Sequence, residues 1–174
     1  MANPKVKFTI ETAPDAPPKD FIVEVHSDWA PLGAQRFLDL VQDKNFDSGK
    51  FYRVVPDFMV QFGISANPEQ YAKWGNKLIK DDPVKQSNTR GRMSFAMRGP
   101  DTRSCQVFIN FGDNSNLDSQ GFSPFAEVTS GMEVVDQIYS GYGDAPYRKP
   151  VKEEGNACLT DFPLLSAVIT AEIQ

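Results

Sequence analysis

Short stretches in which apolar residues alternate with polar ones recur along this chain and set its framework. Val6, Phe8 and Ile10 alternate with Lys5, Lys7, Thr9 and Glu11, the period-two pattern of a strand buried on one face. Pro14 to Pro18 with Asp15 marks a turn. Phe21, Val23 and Val25 then supply a second strand, so residues 5–26 predict a hairpin. Pro31 suits the first turn of a helix, and Ala34, Phe37, Leu38 and Val41 follow at i, i+3, i+4 and i+7, one apolar stripe that ends before Lys50. Strands are predicted again at 51–55 and 58–62, split by Pro56-Asp57. Residues 64–91 are polar and irregular, punctuated by Asn67-Pro68, Trp74-Gly75 and Asp82-Pro83. They predict a long excursion with a helical turn near Glu69 to Lys73, and long loops in compact domains are often functional. Residues 92–96 and 106–110 predict strands flanking the turn Arg98-Gly99-Pro100-Asp101, and 122–128 another after a loop from Asn114 to Gly121. Ser130 is placed to cap a second helix carrying Met132, Val135, Ile138 and Tyr139 and stopping at Gly141. After a Gly/Pro-rich, charged stretch at 141–163, Ala167, Ile169, Ala171 and Ile173 alternate in a final strand. Without repeats or an interdomain linker, the pattern predicts one all-β domain over 1–174, a closed antiparallel β-barrel with two helices packed on it.

The same alternation sorts two segments by face. Met59 and Gln61 share one side of their strand, Val60 and Phe62 the other; Gln106 and Phe108 oppose Val107 and Ile109. Val60, Phe62, Val107 and Ile109 make a barrel core. The glutamine-bearing faces need another task, because a buried amide must find hydrogen bonds, while exposure would waste Met59 and Phe108. A cleft accommodates both. Arg53 lies in Phe51-Tyr52-Arg53-Val54-Val55, otherwise apolar or aromatic. Taken alone it reads as an edge-strand residue that snorkels or pairs with a carboxylate such as Asp57. Beside the two glutamine-bearing faces it reads as the charge of the cleft.

Composition narrows the partners. A net charge of −5 and the lack of a Lys/Arg run disfavour nucleic acid and an anionic membrane surface, and no apolar run approaches the roughly 20 residues that span a bilayer. No leader sequence is visible, which predicts a soluble, cytoplasmic protein as the chain stands, or a periplasmic or secreted one if a leader was cleaved. Cys105 and Cys158 form no metal spacing and are expected as unpaired thiols. His26 is the only histidine, so no multi-histidine metal site and no triad without it can form; its alternating context predicts a surface or strand-end residue. A monomer is the default.

Phe-x-Arg-Val-Val-Pro-x-Phe-Met-x-Gln at 51–61, Phe-Ala-Met-x-Gly-Pro-x-Thr-x-x-x-Gln-x-Phe-Ile at 95–109 and Leu-Asp-x-x-x-Phe-x-Pro-Phe at 117–125 resemble the cyclophilin-type peptidyl-prolyl cis-trans isomerases. The resemblance runs from about residue 20 to 140. It implies an eight-stranded antiparallel barrel capped by two helices, with a divergent C-terminal segment from about 143. It implies that Arg53 is catalytic and that Phe58, Met59, Phe108 and Leu117 hold a proline ring. Gln61 would orient Arg53 or bond a substrate carbonyl, and Gln106 with the backbone at Ala96 and Met97 would fix the substrate chain. The chain departs from the family at the rim. Met97 stands where Asn is frequent, Asn116 where many members have Trp, and Phe122 would close the pocket where a histidine is familiar; the change at Asn116 implies weakened cyclosporin-type binding. The resemblance thus implies an isomerase of X-Pro bonds in proline-containing polypeptides, without cofactor or metal. The competing reading is a non-catalytic module that docks proline peptides in the same cleft.

Overall fold

A computed structural model describes residues 3–174. The predicted hairpin forms from β1 (Lys5–Glu11) and β2 (Lys19–Val25), and the helix with Pro31 in its first turn is α1 (Pro31–Gln42). The stripe of α1 buries Gly33, Ala34, Phe37, Leu40 and Val41, while Leu38 packs only partly. The split pair is β3 (Arg53–Val55) and β4 (Met59–Phe62), with exposed Asp57 in the left-handed region at φ 65° in the turn between them. The polar excursion carries α2 (Pro68–Trp74), capped by the Asn67 side chain, which accepts the Glu69 N–H. The remaining strands are β5 (Arg92–Phe95), β6 (Val107–Asn110), β7 (Ala126–Ser130) and β8 (Ala167–Ile173).

All eight strands join one antiparallel curled sheet in the order β3-β4-β6-β5-β7-β2-β1-β8. The expected closed barrel is not what the ladders form. The outer edge of β3 gives its Val54 N–H to the Gly143 carbonyl at 3.1 Å rather than to β8. The chain just before β3 meets β8 at an isolated bridge between Lys50 and Ala167, where Val168 N–H bonds the Gly49 carbonyl and Phe51 N–H the Ser166 carbonyl.

Two further elements differ from the sequence pattern. The second helix is one turn, α3 (Met132–Val135), and tightens into i→i+3 bonds through Ile138. Ser130 ends β7 and caps nothing; Gly131 takes the cap position at φ 85°, where a Cβ would lie 2.7 Å from the Asp20 carbonyl oxygen. In β8 the register against β1 shifts between Thr9 and Ile10, a bulge that breaks the period of two. Val168 and Ala171 therefore face inward, and Ile169 and Ile173 are 37% and 39% exposed. The stretch at 141–163 folds into short helical turns, among them α4 (Val151–Glu154).

Phe8, Phe21, Phe37, Phe46, Phe62, Phe95 and Phe125 fill the main core with Val60, Val107 and Ile109. Among the described residues no helix is long and apolar enough to cross a membrane.

Candidate active site

Cross-strand register builds the cleft face. Arg53 opposes Gln61, Gln61 opposes Phe108, Val55 opposes Met59, and Phe108 opposes Ser94. Directly opposed residues project to the same side of a sheet. The predicted division into a core face and a cleft face is therefore the one that forms. Val54, Val60, Phe62, Met93, Phe95, Val107 and Ile109 belong to the main core, and Met59, Phe108 and Leu117 form a separate small cluster with Val55, Phe58 and Phe122 against it.

This second cluster floors one part of a cavity of about 380 Å³. Arg53, Phe58, Met59, Gln61, Ala96, Met97, Gln106, Phe108, Leu117 and Phe122 all line it. Asn116 does not: it is exposed on the 3-10 turn Ser115–Gln120, outside the lining. Gly121 follows that turn at φ 94° and reverses the chain. Phe122 then returns edge-on to Phe108, with ring centroids 5.7 Å apart.

The polar groups of the cleft form one chain of hydrogen bonds. Tyr52 donates its hydroxyl to Gln106 Oε1 at 2.6 Å, Gln61 Nε2 donates to the same oxygen at 2.8 Å, and Arg53 Nη1 donates to Gln61 Oε1 at 2.9 Å. With Oε1 of Gln106 holding two donors, Gln61 must present its own oxygen to the guanidinium. The Gln61 oxygen is thereby occupied by Arg53 Nη1. Arg53 makes no ion pair with Asp57 or with any described carboxylate. The N–H of Ala96 is committed to the Gln106 carbonyl at 2.9 Å, so its own carbonyl is what it can offer a bound chain.

Tyr52 was not singled out by its sequence, although a buried tyrosine must find a partner for its hydroxyl. It is 1% exposed, and burial raises its phenol well above the usual range, so it acts as a donor. Its ring stacks on Tyr147 of the C-terminal segment, with centroids 5.4 Å apart.

A second polar network lies beneath the apolar pocket. Asn88, fully buried, donates Nδ2 to Asp118 Oδ1 and to the Phe122 carbonyl at 2.8 and 2.9 Å, and its oxygen accepts from Ser94. Asn114 Nδ2 holds the Phe58 carbonyl at 2.8 Å. Three pocket walls, at Phe58, Leu117 and Phe122, are thus tied together from below. Nothing in the sequence around Asn88 signals this, because its partners lie about 30 residues away.

The two cysteines are free. Cys105 is buried, and burial pushes its thiol up to about 11, which leaves little thiolate for oxidation. His26 sits just past the end of β2, as expected, but is buried rather than on the surface. Its Nε2 lies 3.0 Å from Glu24 and 3.4 Å from Glu127, a cross-strand carboxylate pair, and its Nδ1 lies 3.1 Å from Asn3 Nδ2. His26 does not line the cleft.

Comparison with known proteins agrees with this geometry. The family described as cyclophilin type peptidyl-prolyl cis-trans isomerase/CLD matches residues 7–155. A peptidyl-prolyl cis-trans isomerase of Acinetobacter baylyi is 32% identical over 144 residues, 75% of each chain. Peptidyl-prolyl cis-trans isomerase B of Escherichia coli is 33% identical over 128 residues, 68% of this chain and 77% of its own. Peptidyl-prolyl cis-trans isomerase-like 3 of Dictyostelium discoideum is 32% identical over 120 residues, 67% and 74%. With both cleft strands, the apolar pocket and most of the sheet inside the matched region, the chain belongs to the cyclophilin-type peptidyl-prolyl cis-trans isomerase family.

Proposed function

We propose that this protein is a peptidyl-prolyl cis-trans isomerase that uses the cleft around Arg53 to speed rotation about X-Pro bonds in proline-containing polypeptides. Resonance gives the peptide C–N bond a rotation barrier of about 18–20 kcal/mol, and X-Pro bonds isomerise unaided in tens to hundreds of seconds. In the twisted transition state the resonance is lost, the proline nitrogen becomes pyramidal and a lone pair localises on it. A cation donating to that nitrogen binds the twisted form better than the planar one, and only such differential binding accelerates the reaction.

The single observation that supports this reading is the setting of Arg53. Its guanidinium is held by Gln61 at the edge of an apolar pocket, with no carboxylate to neutralise it. Arginine stays charged across the whole working range of pH. Met59, Phe108 and Leu117 with Phe58 and Phe122 offer the proline ring an apolar seat. Gln106 and the main chain at Ala96 and Met97 lie alongside it to hold the flanking peptide. The reaction breaks no covalent bond and transfers no proton, so these groups suffice. Asn116 offers no ring to the cleft, so a cyclosporin-type ligand is expected to bind weakly.

The test is an isomerisation assay on an X-Pro peptide. Arg53→Ala is expected to lower kcat/KM roughly 10²–10³-fold, the usual cost of removing one preorganised donor, with unfolding midpoint unchanged. Full turnover in that variant would refute the mechanism. A wild type that binds proline peptides without turning them over would instead establish the docking module.

A further inference from the structure

Away from the cleft, the ladder between β2 and β7 gathers a second set of chemically capable side chains. Glu24 in β2 and Glu127 in β7 are directly opposed in register, so both project to the same side of the sheet. His26 follows Glu24 by two residues, and strand alternation returns it to that side. Its Nε2 lies 3.0 Å from Glu24 Oε2 and 3.4 Å from Glu127 Oε1. One atom from each of the three side chains falls within 4.8 Å of the other two.

Like charges directly opposed in a ladder repel, and the neighbours answer only part of that repulsion. Arg92, the cross-strand partner of Glu127 in β5, brings Nε to 4.0 Å from Glu127 Oε2 and leaves Oε1 facing His26. Its guanidinium lies over the Trp29 ring at 5.1 Å, and Trp29 stacks on the imidazole with centroids 3.8 Å apart. The other ring nitrogen, Nδ1, meets Asn3 Nδ2 at 3.1 Å and the exposed Asp28 carboxylate at 4.0 Å. Nε2 is the orphan. His26 is 9% exposed, and its Nε2 is buried with no hydrogen-bond partner, since neither approach to a carboxylate is aligned as a hydrogen bond. A buried polar atom left in that way calls for a partner of another kind.

We propose that Glu24, His26 and Glu127 bind a divalent transition-metal ion of the zinc class, which ties β2 to β7. Zinc takes imidazole nitrogen and carboxylate oxygen at about 2.0–2.2 Å in tetrahedral sites, which sets neighbouring ligand atoms about 3.4 Å apart. The two distances from Nε2 fall near that edge. The carboxylate side chains are 25% and 34% exposed, so they have room to close on an ion and leave it a path of entry. Three protein ligands leave the fourth position to water. The imidazole selects against magnesium and calcium, which prefer all-oxygen sites. With the metal on Nε2 the ring proton sits on Nδ1, and the Asn3 amide, turned end for end, accepts it through its oxygen. Rotation about an X-Pro bond needs no metal, so the ion's task is structural and separate from the cleft.

The experiment takes the tag-free full chain, strips it with a chelator and titrates it with Zn²⁺ at neutral pH by calorimetry, as wild type, Glu24→Gln and Glu127→Gln. The wild type is expected to take up one equivalent and to melt at a higher temperature with it, because an ion that binds only the folded state stabilises that state. Loss of either carboxylate should weaken uptake at least roughly tenfold, the lower end of what losing a group behind a ligand costs, and remove most of the melting shift. His26 is the only histidine, so its ring ¹⁵N signals are unambiguous, and Zn²⁺ should move Nε2 and hold the proton on Nδ1. No saturable uptake by the wild type would overturn the site. Uptake that leaves the His26 ring signals unmoved, or that persists undiminished in both variants, would place the ion elsewhere and overturn it equally. Displacement of Zn²⁺ by equimolar Mg²⁺ or Ca²⁺ would overturn the assignment to the zinc class. The wild-type spectra decide the matter even if a variant fails to fold. None of these readouts uses turnover, so the result is independent of the isomerase reading.

Discussion

Gln106 is the residue on which the polar order of the cleft turns. Its oxygen accepts from Tyr52 and Gln61 together, and this fixes which end of each amide faces Arg53. Without the phenol, the Gln106 amide is free to rotate, and Gln61 loses the acceptor that holds its own oxygen toward the guanidinium. Tyr52 touches neither the proline pocket cluster nor the reacting bond, so it is a positioning residue. Tyr52→Phe keeps the ring stacked on Tyr147 and removes only the donor. We expect kcat to fall roughly five- to tenfold, about the worth of one neutral hydrogen bond, with KM little changed. A purely structural tyrosine would shift the unfolding midpoint and leave kcat alone. Gln61 and Gln106 were legible as cleft residues because alternation sets each beside Met59 or Phe108 on a face opposite the core, and Arg53 because it lies next to those faces. Tyr52 was not, because alternation along the predicted strand 51–55 puts it on the face opposite Arg53.

At the scale of elements, the polar excursion after β4 acts as a strap across α1. Asp82 accepts the Leu32 and Gly33 N–H groups at 3.1 and 2.9 Å, in the first turn of α1, and pairs with Arg103 at 3.1 Å. A carboxylate there meets both the unpaired N–H groups and the positive end of the helix dipole. Asp82 is 5% exposed and Arg103 2%, so removing Asp82 leaves a buried guanidinium whose remaining carboxylate, Asp81, lies 3.9 Å away and half out in solvent. Asp82→Ala is expected to cost about 3 kcal/mol or more, read as a drop in urea midpoint at constant m-value. A loss under 1 kcal/mol would mean that water replaces the pair. The other end of the excursion is tied by α2, whose Gln70, Lys73 and Trp74 all donate to Asp43, just past the end of α1. The helical turn predicted near Glu69 is this α2. Its docking was not predictable, since Asp43 lies about 30 residues upstream.

For the whole molecule, these ties set its response to pH. Asp43 is held down to about 2, chiefly by the hydrogen bond from Lys73 and then by that from Trp74. Asp118 is pushed up by burial, but bonds from Ser87 and Asn88 outweigh this and leave it lowered. Carboxyls depressed in the folded state stabilise it above their unfolded value of roughly 4. That contribution fades as pH falls from there toward about 2 for Asp43. Asp47, raised by burial, offsets a part of it. The melting temperature is expected to hold between pH 5 and 8 and to fall below about pH 4, and Asp43→Asn should flatten that fall. A variant with the wild-type acid profile would remove Asp43 from this account. The amino-acid sequence by itself determined the strands, the first helix, the two-faced cleft segments and the family, because side-chain periodicity and contiguous motifs are local properties. Only the tertiary structure decided how the sheet ends. The Gly143 carbonyl takes the Val54 N–H at the outer edge of β3, and the bulge in β8 keeps Ala167 and Ala171 buried while it turns Val168 inward and Ile169 and Ile173 outward. It also decided what surrounds the cleft: Tyr147 and Lys152 reach it from a stretch that reads as charged loop, and Asn88 supports it from below. Each of these rests on contacts between residues far apart in the chain, which no local pattern encodes.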